Sequence, residues 1–215
     1  LFRSDLATAR GRQAQFEGRA PAGARASFLR SSALALPFPD ASFDVVICSE
    51  VLEHIHDFRG VLAELDRVLV PGGRLAVSVP RAWPERICWL LSDAYHEAEG
   101  GHLRIFDAGD LRREIEALGL RFTGRHGAHA LHVPYWWLRC AARDDAAADS
   151  SPLVRAWHRL LVWDLMQAPR LTRTLEKLLN PVLGKSVALY FEKPAQRATR
   201  PAATAVTPTP DRAAA

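Results

Sequence analysis

Phe43-Asp44-Val45-Val46-Ile47-Cys48, then Phe58, Val61, Leu62, Leu65, Val68 and Leu69 after Asp57, then Pro71-Gly72-Gly73 and the alternating Leu75, Val77 and Val79, is the stretch that decides the fold. The first run is short, continuous and β-branched, which predicts a strand covered on both faces. The second set repeats at helical spacing behind an aspartate that can cap it. Proline and glycine at 71–73 are expected to stop that helix, and a second strand follows up to Pro80. Strand, helix and strand with short joints make a βαβ unit with a right-handed crossover, so the fold class is α/β.

Outward from this unit the pattern continues. Asp107 is placed to cap a helix whose buried face is Leu111, Ile115 and Leu118; Gly119 ends it, and Leu120–Arg125 reads as a strand. Upstream, residues 5–17 read as a surface helix, 26–30 as a short strand and 31–42 as loop, since Pro37 and Pro39 interrupt it. Four tryptophans, Trp136, Trp137, Trp157 and Trp163, fall between Pro134 and Pro181, a segment expected to be a helical insert. Val187, Leu189 and Phe191 alternate in a last strand, and residues 195–215 lack periodicity, so a disordered tail follows a single domain over 1–194.

Composition narrows the function. With 48% hydrophobic and 24% charged residues, the chain has material for a full core. No apolar run reaches the roughly 20 residues of a membrane-spanning helix, and a cytoplasmic setting is expected. Cys48, Cys88 and Cys140 form no CxxC pair, so each is read as a reduced side chain. Net charge is only +4 with acidic residues among the arginines, which gives no nucleic-acid footprint.

Three segments, Leu36-Pro37-Phe38-Pro39-Asp40-Ala41-Ser42-Phe43-Asp44-Val45-Val46, Val51-Leu52-Glu53-His54 and Glu64-Leu65-Asp66-Arg67-Val68-Leu69-Val70-Pro71-Gly72-Gly73, stand in order and register. Together they resemble the class I S-adenosylmethionine-dependent methyltransferases of the type-11 group. The resemblance covers about 1–131 and 184–193. It implies a Rossmann-like, mostly parallel sheet of seven strands, with Lys185–Glu192 antiparallel beside the strand near Leu120. It also implies S-adenosylmethionine as cofactor. Ligands of such sheets bind beyond the carboxyl ends of the strands, which puts Ser49–His54 at the mouth of the site.

Two departures follow. The family's acidic residue and GxGxG loop are missing, since none of the 13 glycines forms a G-x-G. A first strand, its helix and most of a second strand need about 30 to 50 residues. The expectation is therefore a sheet incomplete at the N-terminus, in a fragment inactive as given. Where the family has an aspartate for the adenine amine, this chain has Ser32 before Ala33. A neutral acceptor contributes about 0.5 to 1.5 kcal/mol, against about 1.5 to 3 for a charged one.

The resemblance places Ser32, Ala33, Ser49 and Glu50 on the cofactor side and His54, with His102, near the acceptor. Imidazole titrates near neutral pH, so either ring suits a base, although each also suits a plain anchoring role. His126, His129 and His132 are three apart, and in an extended segment such residues point to opposite faces; without a bend no metal site is expected. Tyr135, Trp136 and Trp137 read as core packing, as a substrate lid, or as part of a surface resting on a membrane. The expected function is methyl transfer to a small-molecule or amphiphilic acceptor, with peripheral membrane contact through the Trp-rich segment and no nucleic-acid partner. A non-catalytic module that kept the fold is the alternative.

Overall fold

The computed structural model describes residues 7–11, 13, 23–93, 95, 101–142 and 145–195. Four strands form one sheet in the order β1-β2-β4-β3: β1 Phe43–Ser49, β2 Leu69–Pro80, β3 Arg121–Ala128 and β4 Ser186–Glu192. β1 and β2 are parallel, and β4 is antiparallel to both β2 and β3. The last strand thus lies beside the strand near Leu120, as expected, and also fills the gap to β2.

Helix α1, Phe58–Val68, carries the chain from β1 to β2. Asp57 caps it, its side chain accepting from the Gly60 N–H at 2.9 Å, and Val61, Leu62, Leu65 and Val68 are buried on its inner face. Helix α2 spans Ala82–Leu91 and α3 spans Ala108–Ala117. The Asp107 carboxylate accepts from Gly109 and Asp110, and Gly119, at φ 93°, takes the left-handed conformation that ends the turn after α3. Leu111 and Ile115 are buried as expected; Leu118 is half-buried against the same core.

Three readings are corrected. The β1 strand is not covered on both faces: Val45 is 56% and Ile47 72% exposed, because α1 and α3 pack on the face of Val46, Cys48, Leu75, Val77 and Leu189. α1 ends at Val68, and Pro71-Gly72-Gly73 lies inside β2, where Gly72 donates to the Lys193 carbonyl at 2.7 Å; sheet pairing, starting at Leu69 opposite Phe43, stops the helix before the proline does. Residues 26–30 form no strand, since none of the described residues pairs with them. The expected helix over 5–17 and the tail beyond 195 lie largely outside the described residues.

Between β3 and β4 the chain is helical: α4 His132–Cys140, α5 Asp145–Ser150, α6 Pro152–Gln167 and α7 Arg170–Leu183. α7 is fastened to the sheet by its carboxyl end. Arg81 donates to the carbonyls of Pro181 and Val182, at the end of the helix, and to that of Asn180, which also accepts from the Gly184 N–H, and Asn180 Oδ1 accepts from the Ala130 N–H at 2.8 Å. Gly127 is required at this seam, because a side chain there would run into the Asn180 carbonyl and the Arg81 guanidinium. Gly127→Ala is expected to cost about 1 to 3 kcal/mol in chemical denaturation, as overpacking of a closed contact does; a loss within error of zero contradicts this seam.

Candidate active site

Register builds the first part of the site. Because Ser49 pairs with Ser78 across β1 and β2, their hydroxyls meet at 2.9 Å, and Ser78 donates on to Glu50 Oε1 at 2.8 Å. Glu50 itself holds φ 52°, a left-handed conformation that a non-glycine residue enters only under constraint. That turn swings the chain off the strand end into the 3-10 turn Leu52–His54.

His54 and His102 then come together, their rings 4.9 Å apart. Each has its Nδ1 tied. His54 Nδ1 lies 3.1 Å from the Gly101 carbonyl, and His102 Nδ1 lies 2.5 Å from Glu85 Oε1. A carbonyl can only accept, so His54 carries its proton on Nδ1 and, in the neutral ring, leaves Nε2 unprotonated, 3.9 Å from Glu53 Oε1. Glu85 is 1% exposed and holds a second partner, Lys185 Nζ, at 2.7 Å. Burial alone pushes this carboxyl up, but His102 and Lys185 outweigh it and hold Glu85 down at about 2. Glu85 is therefore ionised and accepts from His102 as well, which fixes the same tautomer there.

Below this pair, Glu53 is fully buried, and neither carboxyl oxygen has a hydrogen-bond partner. Burial first, then the nearby Glu50, pushes its carboxyl up. Burial also pushes Tyr95 up, so that phenol stays protonated; its ring stands 5.8 Å from both His102 and Trp136.

His54, His102, Tyr95, Trp136 and Glu50 line one cavity of about 400 Å³ at the carboxyl end of β1. Ser49 and Glu50 also border a smaller one of about 310 Å³ on the open sheet face. Of the sequence-predicted residues, the structure thus gathers Ser49, Glu50, His54, His102 and Trp136. Ser32 and Ala33 do not line that cavity: Ser32 Oγ accepts from the Leu34 N–H, and Ala33 packs on the core. Tyr135 lines a separate cavity with Arg139 and His158, and Trp137 donates to the Pro84 carbonyl while packing on Trp83. Sequence reasoning missed Glu85 and Lys185. A lone glutamate inside the apolar Ala82–Leu91 helix was the available signal, since a charge is buried only with a partner.

The histidines after β3 also separate. His126 stays on the sheet and stacks on Tyr190, whereas a turn at His129, φ 63°, brings its ring to 5.0 Å from His132. The bend that an extended reading lacked is supplied by that left-handed residue.

The order and directions of the four strands are those of a Rossmann-like α/β sheet. Residues 4–77 match the family described as methyltransferase domain. The chain is 32% identical over 152 residues to a sterol 24-C-methyltransferase of Aspergillus fumigatus, covering 68% of this chain and 37% of that protein. It is 49% identical over 55 residues to a demethylmenaquinone methyltransferase of Thermus thermophilus, covering 26% of this chain and 25% of that one. A solved SAM-dependent methyltransferase from Archaeoglobus fulgidus superposes with a TM-score of 0.45 at 16% identity, over 77% of this chain and 66% of that one. Residues 4–77 are thus a segment of a class I methyltransferase domain, of the type-11 group. The chain spans between a quarter and two fifths of these two curated relatives.

Use of an S-adenosylmethionine-type cofactor is general in this family. The hydroxyls of Ser49 and Ser78 and the Glu50 carboxyl fit the polar side of such a nucleoside, standing where the parallel strands end.

The Glu85 network has a pH signature. A carboxyl held below its ordinary value of 4.5 contributes stability that is complete above that value and is lost as pH falls toward about 2. Denaturation from pH 7 to pH 2 is expected to show this loss in the parent chain and a flatter profile in Glu85→Gln. At pH 7 the variant is expected to be about 3 to 5 kcal/mol less stable, since Lys185 is left buried without its partner.

Proposed function

We propose that this chain carries the acceptor side of an S-adenosylmethionine-dependent methyltransferase whose acceptor is a small, amphiphilic molecule. The observation that carries the reading is the imidazole pair, each ring with Nδ1 committed and Nε2 unprotonated, at the wall of a cavity beyond the end of β1. Ser49 and Glu50 take the cofactor side, with Ser32 and Ala33 on the neighbouring loop. Trp136, together with Tyr95, offers an aromatic wall to the acceptor, and Tyr135 and Trp137 hold α4 in place behind it.

When bound, the cofactor supplies a methyl group already activated on a sulfonium. The chain's residues have two tasks. Positioning the acceptor in line accounts for up to about 7 to 11 kcal/mol of the barrier. Taking its proton as the new bond to carbon forms and the bond to sulfur breaks adds about 10² to 10⁴ in rate. His54 Nε2 is the proposed base. His102 is the second, its imidazolium stabilised by Glu85 in the way a carboxylate supports a catalytic histidine.

Two observations favour an amphiphilic acceptor. The relatives' names specify a sterol and demethylmenaquinone, both largely apolar. On this chain, Val162, Trp163, Leu165, Met166, Leu171, Leu175, Leu178 and Val182 are large, apolar and exposed along the consecutive helices α6 and α7, beside Arg170, Arg173 and Lys177. Such residues suit peripheral contact with an anionic membrane, at these helices rather than at Trp136. Among the described residues no helix is long and apolar enough to cross one. The buried free cysteines are in keeping with a reducing, cytoplasmic setting.

The test, run on a protein in which the family's acidic residue and GxGxG loop precede these residues, is turnover with sterol and demethylated-quinone acceptors beside cofactor titration by calorimetry. His54→Ala is expected to lower turnover at least tenfold with cofactor affinity nearly unchanged. An unchanged rate removes His54 as the base, and a protein that has the loop yet binds no S-adenosylmethionine is the non-catalytic module instead.

Leu175→Glu with Leu178→Glu is expected to reduce co-sedimentation with phosphatidylserine-containing vesicles about tenfold. Equal sedimentation of parent and variant contradicts the membrane contact.

A further inference from the structure

A second group of ligand-type side chains assembles where β3 gives way to α4. His129 makes the turn, His132 follows in the first turn of α4, and Glu176 reaches them from the middle of α7. Each offers one ligand atom, and the three atoms lie within 4.8 Å of one another. The elements that carry them are separate in sequence, so the meeting is a tertiary one.

Three observations show that something is needed there. His129 holds φ 63°, a strained conformation for a residue with a side chain, and strain of this kind persists where surroundings require it. His132 Nδ1 is buried with no partner. Glu176 Oε1, on the opposite element, is also buried with no partner. An imidazole nitrogen and a carboxyl oxygen left bare in one place are costly, and a single cation satisfies both.

The frame stands without the ion. Asn180 Oδ1 holds the Ala130 N–H, and Arg81 holds the carbonyl end of α7, so Glu176 is fixed against the His129–His132 turn before any ligand arrives. His129 and His132 line the 400 Å³ cavity, while Glu176 lines the neighbouring groove of about 900 Å³.

We propose that His129, His132 and Glu176 bind a divalent transition-metal ion, with zinc the best match. Two imidazoles and one carboxylate are borderline donors that suit zinc, whereas calcium and magnesium take oxygen sets. Neighbouring ligand atoms of a tetrahedral zinc ion stand about 3.3 Å apart, so a site spread over up to 4.8 Å closes as the ion binds. The ion staples α7 to the β3–α4 corner. Its fourth position is left for water or for a donor atom of a molecule in the cavity.

The test is zinc titration of the 215-residue chain, free of any affinity tag, by calorimetry, with cobalt absorption to read the coordination. One equivalent is expected to bind. Glu176→Gln, nearly isosteric, and His129→Asn, which keeps the left-handed turn, are each expected to weaken binding at least tenfold, and His132→Ala likewise. His126→Ala is expected to leave it unchanged. No zinc uptake overturns the proposal. So does uptake that survives Glu176→Gln and His129→Asn, including the case in which it is lost on His102→Ala and belongs to the other imidazole group. Should His132→Ala fail to fold by circular dichroism, the Glu176 and His129 variants decide the matter.

Discussion

The buried ion pair of Glu85 with Lys185 is the contact on which the site depends. Each ion gives up about several kcal/mol of hydration on burial, so neither is tolerated without the other. Glu85 stands on α2 and Lys185 just before β4, and their meeting pins a helix to the start of the strand that fills the centre of the sheet. The second carboxylate oxygen then holds His102, and through His102 the loop that also supplies the Gly101 carbonyl to His54. One ionised carboxyl thereby sets the tautomer of one imidazole directly and helps position the other.

Backbone pairing supplies the remaining precision. The parallel register of β1 and β2 brings Ser49 and Ser78 side by side, and the left-handed Glu50 redirects the chain toward the cavity. On the far side, Arg81 donates to the last carbonyls of α7. This places the α4–α7 helices over the same end of the sheet and lets Trp136 reach the cavity wall. The exposed apolar residues of α6 and α7 belong to the same helical segment that supplies Trp136 to the cavity wall.

Much of the fold was readable where a local signal matched a tertiary need. Asp57 and Asp107 cap their helices, Gly119 ends α3, and the alternation of Val187, Leu189 and Phe191 faces the core. Periodicity says nothing about what covers a face, which is why β1 read as doubly buried although Val45 and Ile47 are open. The site was half readable. His54 and His102 carried a motif, but Glu85 and Lys185, 100 residues apart, become partners only when the chain folds. A spacing argument separated His129 from His132 because it presumed extended backbone, and one residue at positive φ was enough to reverse it.

The account rests on Glu85 being ionised and fixing the proton of His102 on Nδ1. Nitrogen-15 chemical shifts of the imidazole rings, read by long-range proton correlation near neutral pH in the parent chain and in Glu85→Gln, test this directly. The predicted spectrum has His102 as the Nδ1–H tautomer in the parent, with that preference lost in the variant. A His102 that carries its proton on Nε2 in the parent, or whose ring shifts do not change when Glu85 is replaced, contradicts the account.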